Sequence, residues 1–494
     1  MVPTTGGFLL VLSLILPVAG VLLPLLIGAR HAGLMAAMLL SLGLCVAVAI
    51  LGAVWETGAP LVYFVGGWAP PLGIALRADG LSAVMVVTTS VIVGAVGLFA
   101  GPAFSVPEGQ GETRRPLVFW TLLMGVWCAL NAVWFGGDLF GLYVALELMT
   151  FGAVPLVSLD GSAATLAAAL RYLLFALVGS VLYLLGVALF YGTYGTLDIV
   201  LLSQVVRAQP VVLIAAALMI AGLLAKTALF PLHLWLPPAH AGAPAAASAL
   251  LSALVVKGSF FLIVRIWFDV MPGIPGMAAG QMLGALGAAA IIFGSVMALR
   301  QARLKLMIAY STIAQIGYLF FLFPLATGQV WNGIAWTGGM LQLVAHAFAK
   351  AAMFMAAGLI AEALGHDRIA DLSGIGRALP MTVFAFGLGG MSLMGLPPSG
   401  GFVAKAMLLT AAVGEGQWWW AVVILCGGLL AAGYVFRVLT PALAAEIVPL
   451  RAEISRRRQG VVLALAIGAL LLGFLPLRSS QLLEIGRPIP AVVR

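Results

Sequence analysis

Four lysines, Lys226, Lys257, Lys350 and Lys405, and one carboxylate, Glu147, stand inside long apolar runs. A lysine near the middle of a bilayer costs about 2.5–3.5 kcal/mol, so four would cost roughly 10–14 kcal/mol by simple addition. Residues retained against that penalty commonly line hydrated ion paths. The chain has one further lysine, Lys305, while its links use arginine. Arginine essentially never releases its proton, whereas lysine in a site of low dielectric can. Lysine in the membrane with arginine in the links therefore suits proton transfer. The bland alternative is a chance distribution of anchoring cations.

The central stretch is AGLLAKTALFPLHLWLPPAHAGAPAAASALLSALVVKG, residues 221–258. It holds Lys226, His233, His240 and Lys257, together with Pro231, Pro237, Pro238 and Pro244. Proline removes a backbone donor, and in lipid the freed carbonyls must find other partners. A second break falls in MSLMGLPPSGGFVAKAMLL, where Pro397 and Pro398 precede Lys405. Glu147 sits mid-run in GDLFGLYVALELMTFG, and its natural partner is Lys226. An opposite charge favours ionisation of both groups, and separating them lets lysine lose its proton, so the pair is a candidate switch. A static pair fixing helix packing is the alternative.

His346 and Lys350 are four apart in HAFAKAAMF and share one helix face. Histidine titrates near neutrality and can pass protons, although a lone histidine is more often a satisfied core residue. Ser311, Thr312 and Gln315 in AYSTIAQIGY can hold water between titratable groups, or simply bond neighbouring helices.

The elements that must position these groups are membrane helices. Apolar residues make up 63% of the chain and charged ones 8%, against about 25% charged in soluble domains. The mean hydropathy of +1.17 agrees, and the apolar runs are continuous rather than alternating, which excludes a membrane barrel. The fold expected is an all-α polytopic membrane protein of about fourteen spans, two of them discontinuous, with two inverted repeats of five helices. Limits are 7–28, 32–54, 80–100, 117–135, 138–159, 165–191, 211–236, 244–268, 279–299, 306–325, 332–362, 380–411, 417–440 and 460–476. One membrane domain covers 1–494. Within it lie three N-terminal helices (1–116), a first half-channel (117–268), a second (279–440) and a C-terminal loop and helix (441–494). The longest polar stretches are 101–116, 363–378 and 441–459, and the chain stops soon after the last span, without a long amphipathic tail.

Arginine concentrates in the odd-numbered links, at Arg30, Arg114, Arg115, Arg300, Arg303, Arg368, Arg377, Arg451 and residues 456–458. Even links and the tail carry Arg77, Arg207, Arg478, Arg487 and Arg494. This bias puts the odd links in the cytoplasm and both termini outside. It also explains the net charge of +8, which is no nucleic-acid signal. The first apolar run has no basic leader and reads as a retained helix. Cys45, Cys128 and Cys426 are isolated, so neither a metal nor a cluster site is expected. With no nucleotide motif either, no cofactor and no catalytic residue are expected, and the driving energy must come from a partner or an ion gradient.

Four signatures carry a resemblance: KTALFPLHLWLPPAHAGAPAAASALLSALVVKG, LKLMIAYSTIAQIGY, HAFAKAAMF and GLPPSGGFVAKAML. With them the chain resembles the antiporter-like family. That family comprises the large proton-pumping membrane subunits of respiratory complex I, related hydrogenase subunits and Mrp-type sodium/proton antiporter subunits. The resemblance implies that Glu147 and Lys226 form a coupling pair. It implies that Lys257, His346 and Lys350 form a central relay and that Lys405 is the terminal site. Many members carry tryptophan before the glutamate; Leu146 stands there here. Size and Lys405 are most similar to the Mrp D-type subunit and to compact complex I-like subunits. The resemblance further implies neighbouring membrane subunits in a bacterial inner membrane, with protons and, in the Mrp branch, sodium as the ions moved. It allows a place within an NADH:quinone oxidoreductase-like translocase. The rivals are a stand-alone carrier of a small solute and a scaffold for an inorganic-carbon uptake partner. The sequence leaves open the particular complex, the coupled ion and the direction of transport.

Overall fold

The computed structural model describes residues 2–106, 114–328, 331–446, 449–474 and 479–487. Arg478 and Arg494, the end of the last expected span, and parts of the polar stretches 101–116 and 441–459 lie outside the described residues.

In lipid a chain must satisfy its own backbone polar groups, and long apolar runs do so as helices. In order they are α1 (Phe8–Ile27), α2 (Ala29–Thr57), α3 (Gly80–Ala100), α4 (Arg114–Phe135), α5 (Leu139–Val157), α6 (Ala163–Tyr194), α7 (Ile199–Val205), α8 (Pro210–Thr227) and α9 (Leu236–Gly242). Next come α10 (Ala245–Leu250) and α11 (Val256–Val264), joined by a π turn over Leu251–Val255 and followed by another over Arg265–Val270. The rest are α12 (Met277–Arg300), α13 (Leu304–Leu319), α14 (Leu322–Ala326), α15 (Gly333–Leu364), α16 (Ile375–Ala378), α17 (Pro380–Met394), α18 (Gly400–Gly414), α19 (Trp418–Ala442), α20 (Arg456–Leu471) and α21 (Ser479–Glu484). Among the described residues 13 helical stretches are long and apolar enough to cross a membrane. The split pair α17 and α18 supplies one more crossing, which gives the fourteen expected from hydropathy.

Two features differ from the sequence reading, and one bears it out. The link between α2 and α3 is an antiparallel hairpin of β1 (Leu61–Phe64) and β2 (Ala75–Ala78), so the chain is not purely helical. Gly58, in the left-handed region at φ 60°, ends α2, and the β-branched and aromatic residues of LVYF favour a strand. The span over 211–236 is broken as expected: α8 ends at Thr227, where Ala228 turns left-handed at φ 58° ahead of Pro231. Two short helices outside the expected spans, α7 and α21, flank the hairpin: Gly137 N–H donates to Ala75 O, Ile199 N–H to Gly137 O, and Gly80 N–H to Ile485 O.

The order of elements repeats. Crossings α4, α5, α6, α8–α9 and α10–α11 are followed by α12, α13–α14, α15, α17–α18 and α19. In each set the third helix has 32 residues and the fourth is broken. An odd number of crossings reverses the second set relative to the first. The segment from Ala246 to Val270 is buried throughout, whereas α1, α2, α19 and α20 are largely exposed to the surroundings. The candidate groups therefore cluster along the centre.

Candidate functional site

Lys226 lies in the last turn of α8, where the partial negative charge of a helix C-terminus favours a cation. Its Nζ lies 2.9 Å from Glu147 Oε1 on α5 and 3.1 Å from Thr150 Oγ1. Ser180 on α6 also donates to Glu147 Oε1. The side chains of Lys226 and Glu147 are 4% and 14% exposed. This is therefore not a solvent-bathed pair of the kind worth little. Close approach of α6 and α8 assembles the group: a Cβ on Gly222 would stand 2.2 Å from Gly179 O. The indole Nε1 of Trp235 donates to Ala225 O at 2.9 Å, covering one carbonyl freed by the break.

Thr227, beside Lys226, donates from Oγ1 to Ser259 Oγ on α11 at 2.9 Å. Lys257 is fully buried on the same helix, and its Nζ donates to Ser252 O. The π turn frees that carbonyl. Val256 N–H bonds Leu251 O, five residues back, rather than Ser252 O. Such single turns are frequent at functional sites. Ser252 Oγ then meets Thr312 Oγ1 on α13 at 2.9 Å.

Lys350 on α15, also fully buried, donates to Ile308 O at 2.9 Å and to Ser311 Oγ. One turn further along α13, Gln315 Nε2 donates to Leu393 O at 3.1 Å, and Gln342 Nε2 donates to Gln315 Oε1 at 3.1 Å. Leu393 O also accepts from Lys405 Nζ. That carbonyl belongs to the last turn of α17, which Gly395 (φ 81°) and Pro397–Pro398 terminate before Ser399 caps α18. The Lys405 ammonium stands 4.1 Å from the centroid of the Tyr318 ring, a cation–π distance.

The histidines are placed differently. His346 is buried one turn from Lys350, and neither ring nitrogen has a hydrogen-bond partner among the described residues. The same holds for His240, whose ring stacks on Phe354 at 4.6 Å. His233 packs against Phe230 and Phe293. Among the described residues no hydrogen bond joins these three rings to the lysine series. Pro231 and Pro237 flank the first break, with Pro237 opening α9. Lys305 starts α13 and donates to Ala243 O at 2.9 Å beyond that break.

Sequence reasoning passed over several participants. Thr150, Ser180, Thr227, Ser252, Ser259 and Gln342 are ordinary polar residues in apolar helices, and only Thr227, adjacent to Lys226, carries a positional hint. It also passed over a buried ion-pair cluster near the hairpin. Arg265 grips Asp79 at 2.5 and 2.8 Å, Asp269 at 2.6 Å and Ser82 Oγ at 2.9 Å. The spacing of Arg265 and Asp269, four apart in RIWFD, was the available signal. Burial raises the Asp79 carboxyl, but the Arg265 guanidinium outweighs burial and holds it below the usual carboxylate range.

The fold and site together are those of a polytopic helical membrane protein with two broken crossings and a buried lysine series. The family model described as NADH:quinone oxidoreductase/Mrp antiporter, transmembrane, matches residues 136–431, more than half of the chain, and the chain belongs to that family. It is 37% identical over 390 residues to the N-type subunit of the NADH-quinone oxidoreductase of Desulforudis audaxviator, covering 78% of this chain and 76% of that protein. It is 28% identical over 385 residues to the D-type subunit of the Na(+)/H(+) antiporter of Bacillus subtilis, covering 77% and 76%. Among solved structures, a chain of the Mrp complex from Dietzia superposes with a TM-score of 0.88 at 26% identity, over 97% of each chain. A chain of respiratory complex I from Thermus thermophilus superposes at 0.75 and 25% identity, over 95% of this chain and 97% of that one.

Proposed function

We propose that this chain is a proton-translocating subunit of a multisubunit membrane complex of the Mrp or complex I type. Glu147 and Lys226 act as the coupling pair, Lys257, His346 and Lys350 as the central relay, and Lys405 as the terminal site. The first half-channel then comprises residues 117–268 and the second residues 279–440. The observation that carries this reading is the series of buried polar contacts running from Glu147 to Lys405 through α5, α8, α11, α13, α15 and α18. Each lysine donates to a carbonyl, hydroxyl or carboxylate oxygen, so its Nζ is held in place. Each can also release a proton, as arginine cannot.

The likeness to Mrp and complex I chains supports a complex with neighbouring membrane subunits. Exchange of protons for sodium fits the Mrp branch. The arginine bias of the odd links supports an orientation with both termini outside, and the bacterial relatives support a bacterial inner membrane. Labelling of a terminal cysteine only from the cytoplasmic side would refute that orientation. The test of function is Lys226→Ala in the assembled complex, reconstituted in vesicles. Proton flux is expected to vanish while assembly persists; near-normal flux with correct assembly sinks the proposal.

A further inference from the structure

Asp138 and Asp198 stand opposite each other in an isolated antiparallel bridge between the starts of α5 and α7. Leu139 N–H donates to Leu197 O at 3.0 Å and Ile199 N–H to Gly137 O at 2.9 Å, so the backbone bonds flank the two aspartates rather than join them. In such a pair the Cα atoms approach to about 4.5 Å and both side chains leave on the same side. Like charges placed this way repel. Each carboxylate uses Oδ1 to cap its helix: Asp138 accepts from Gly141 N–H at 2.7 Å and Asp198 from Leu201 N–H at 2.9 Å. Each Oδ2 is buried, and neither has a hydrogen-bond partner among the described residues. Asp198 as a whole is only 5% exposed.

The charged groups around the pair are engaged elsewhere. Arg77 of β2 and Arg265 line a small cavity with Asp198 and Asp269. Arg265 is committed to Asp79 and Asp269, while Arg77 lies 3.7 Å from Asp79 and donates to Gly486 O. On the α6 side stands Tyr183, whose hydroxyl donates to Leu139 O at 3.0 Å. Burial raises both carboxyls, against the capping bonds from backbone N–H groups; Asp138 raises Asp198 further and Arg77 lowers it. Two buried acceptor atoms on one side of a bridge need a donor between them. A hard metal cation takes about six oxygens. The backbone oxygens beside the pair, Gly137 O and Leu197 O, already accept bonds, and among the described residues no group of three His, Cys, Asp or Glu could hold a metal. A proton needs only the two carboxyl oxygens.

We propose that Asp138 and Asp198 form a proton-binding pair, in which the carboxylic O–H of one donates to Oδ2 of the other. The proton comes from solvent and returns to it. While it is held, α7 is latched onto the start of α5. Its loss puts two negative charges opposite each other and loosens α7, which Ile199 ties to Gly137 and Gly137 ties to Ala75 of the hairpin. The pair is separate from the lysine series, and the inference is independent of whether the lysines move protons.

The test uses the purified full chain with Asp138→Asn and Asp198→Asn made singly. Asparagine caps a helix as well as aspartate does, and its amide supplies the donor that the proton supplies in the wild type. The pair binds its proton more tightly folded than unfolded. Its stabilisation is therefore complete below an unfolded pKa of about 3.9 and is lost as the pH rises through the titration of the folded pair. The thermal midpoint of the wild type should fall relative to that of either variant as the pH is raised from about 4. Infrared difference spectra, wild type minus variant, should show a carboxylic-acid C=O band that disappears over the same interval. If one variant fails to fold, the other carries both readouts. A midpoint difference that does not change with pH, or absence of the band, overturns the proposal. So does a wild-type midpoint raised by sodium or calcium chloride in a way that either substitution abolishes, which would show a metal cation between the carboxylates.

Discussion

Lys257 donates to the carbonyl of Ser252, five residues earlier in its own helix. An unbroken α-helix uses that carbonyl for its own ladder, and here a π turn releases it. A lysine buried among apolar side chains thus keeps an acceptor for its Nζ, and among the described residues no carboxylate forms an ion pair with it. We expect Lys257→Gln to retain this donor and the fold but to lose most proton flux, because an amide cannot titrate. Flux in reconstituted vesicles, set beside the thermal midpoint, separates the two roles; normal flux would make Lys257 a structural plug.

The pair of Glu147 with Lys226 predicts an order among substitutions. Glu147→Gln removes the charge facing Lys226, whereas Glu147→Asp keeps it on a shorter stem. Leaving one partner of a buried pair unmatched costs about 3–5 kcal/mol. Glutamine should therefore impair both coupled flux and stability more than aspartate. Equal behaviour of the two variants in flux and denaturation assays would assign Glu147 to packing.

The Arg265 cluster should behave in the opposite way, as a bolt near the hairpin. Arg265→Met leaves Asp269 buried without its cation and Asp79 with Arg77 alone, 3.7 Å away, and we expect a stability loss of about 3–5 kcal/mol. The carboxyl of Asp79 is held below its unfolded value. Its stabilisation is therefore full above an unfolded pKa of about 3.9 and is lost as pH falls through the folded one. Thermal midpoints of wild type and Asp79→Asn should converge as the pH drops below about 4. A constant gap between them would show that the carboxylate charge contributes nothing.

What the sequence disclosed follows from what lipid penalises. Lysine, glutamate and paired prolines stand out in apolar runs because each costs free energy there. Hence Glu147, Lys226, Lys350, Lys405 and both breaks could be named from the residues alone. The π turn under Lys257 was hidden because LSALV is an ordinary helical string. Ser180 was hidden for the same reason, since single serines are common in membrane helices. Arg265 and Asp269 were visible as neighbours, but Asp79 stands 186 residues away from Arg265, and only the packing of α3 brings them together. The hairpin went unread because its strands have four residues each, too few for alternation to register.

Under the proposed function the buried lysines move protons rather than serve as fixed charges, and Lys350 is the middle of their series. Among the described residues its Nζ donates to Ile308 O and to Ser311 Oγ. Lys350→Arg keeps the positive charge and removes the ability to release it, and the thermal midpoint of the variant checks that the bulkier side chain is accommodated. The decisive measurement is proton flux of the assembled Lys350→Arg complex in vesicles, against wild type at equal protein and equal driving force. The expected result is a loss of about tenfold or more, the rate change for about 1.4 kcal/mol of barrier. Flux equal to wild type would contradict it and leave Lys350 as a fixed charge.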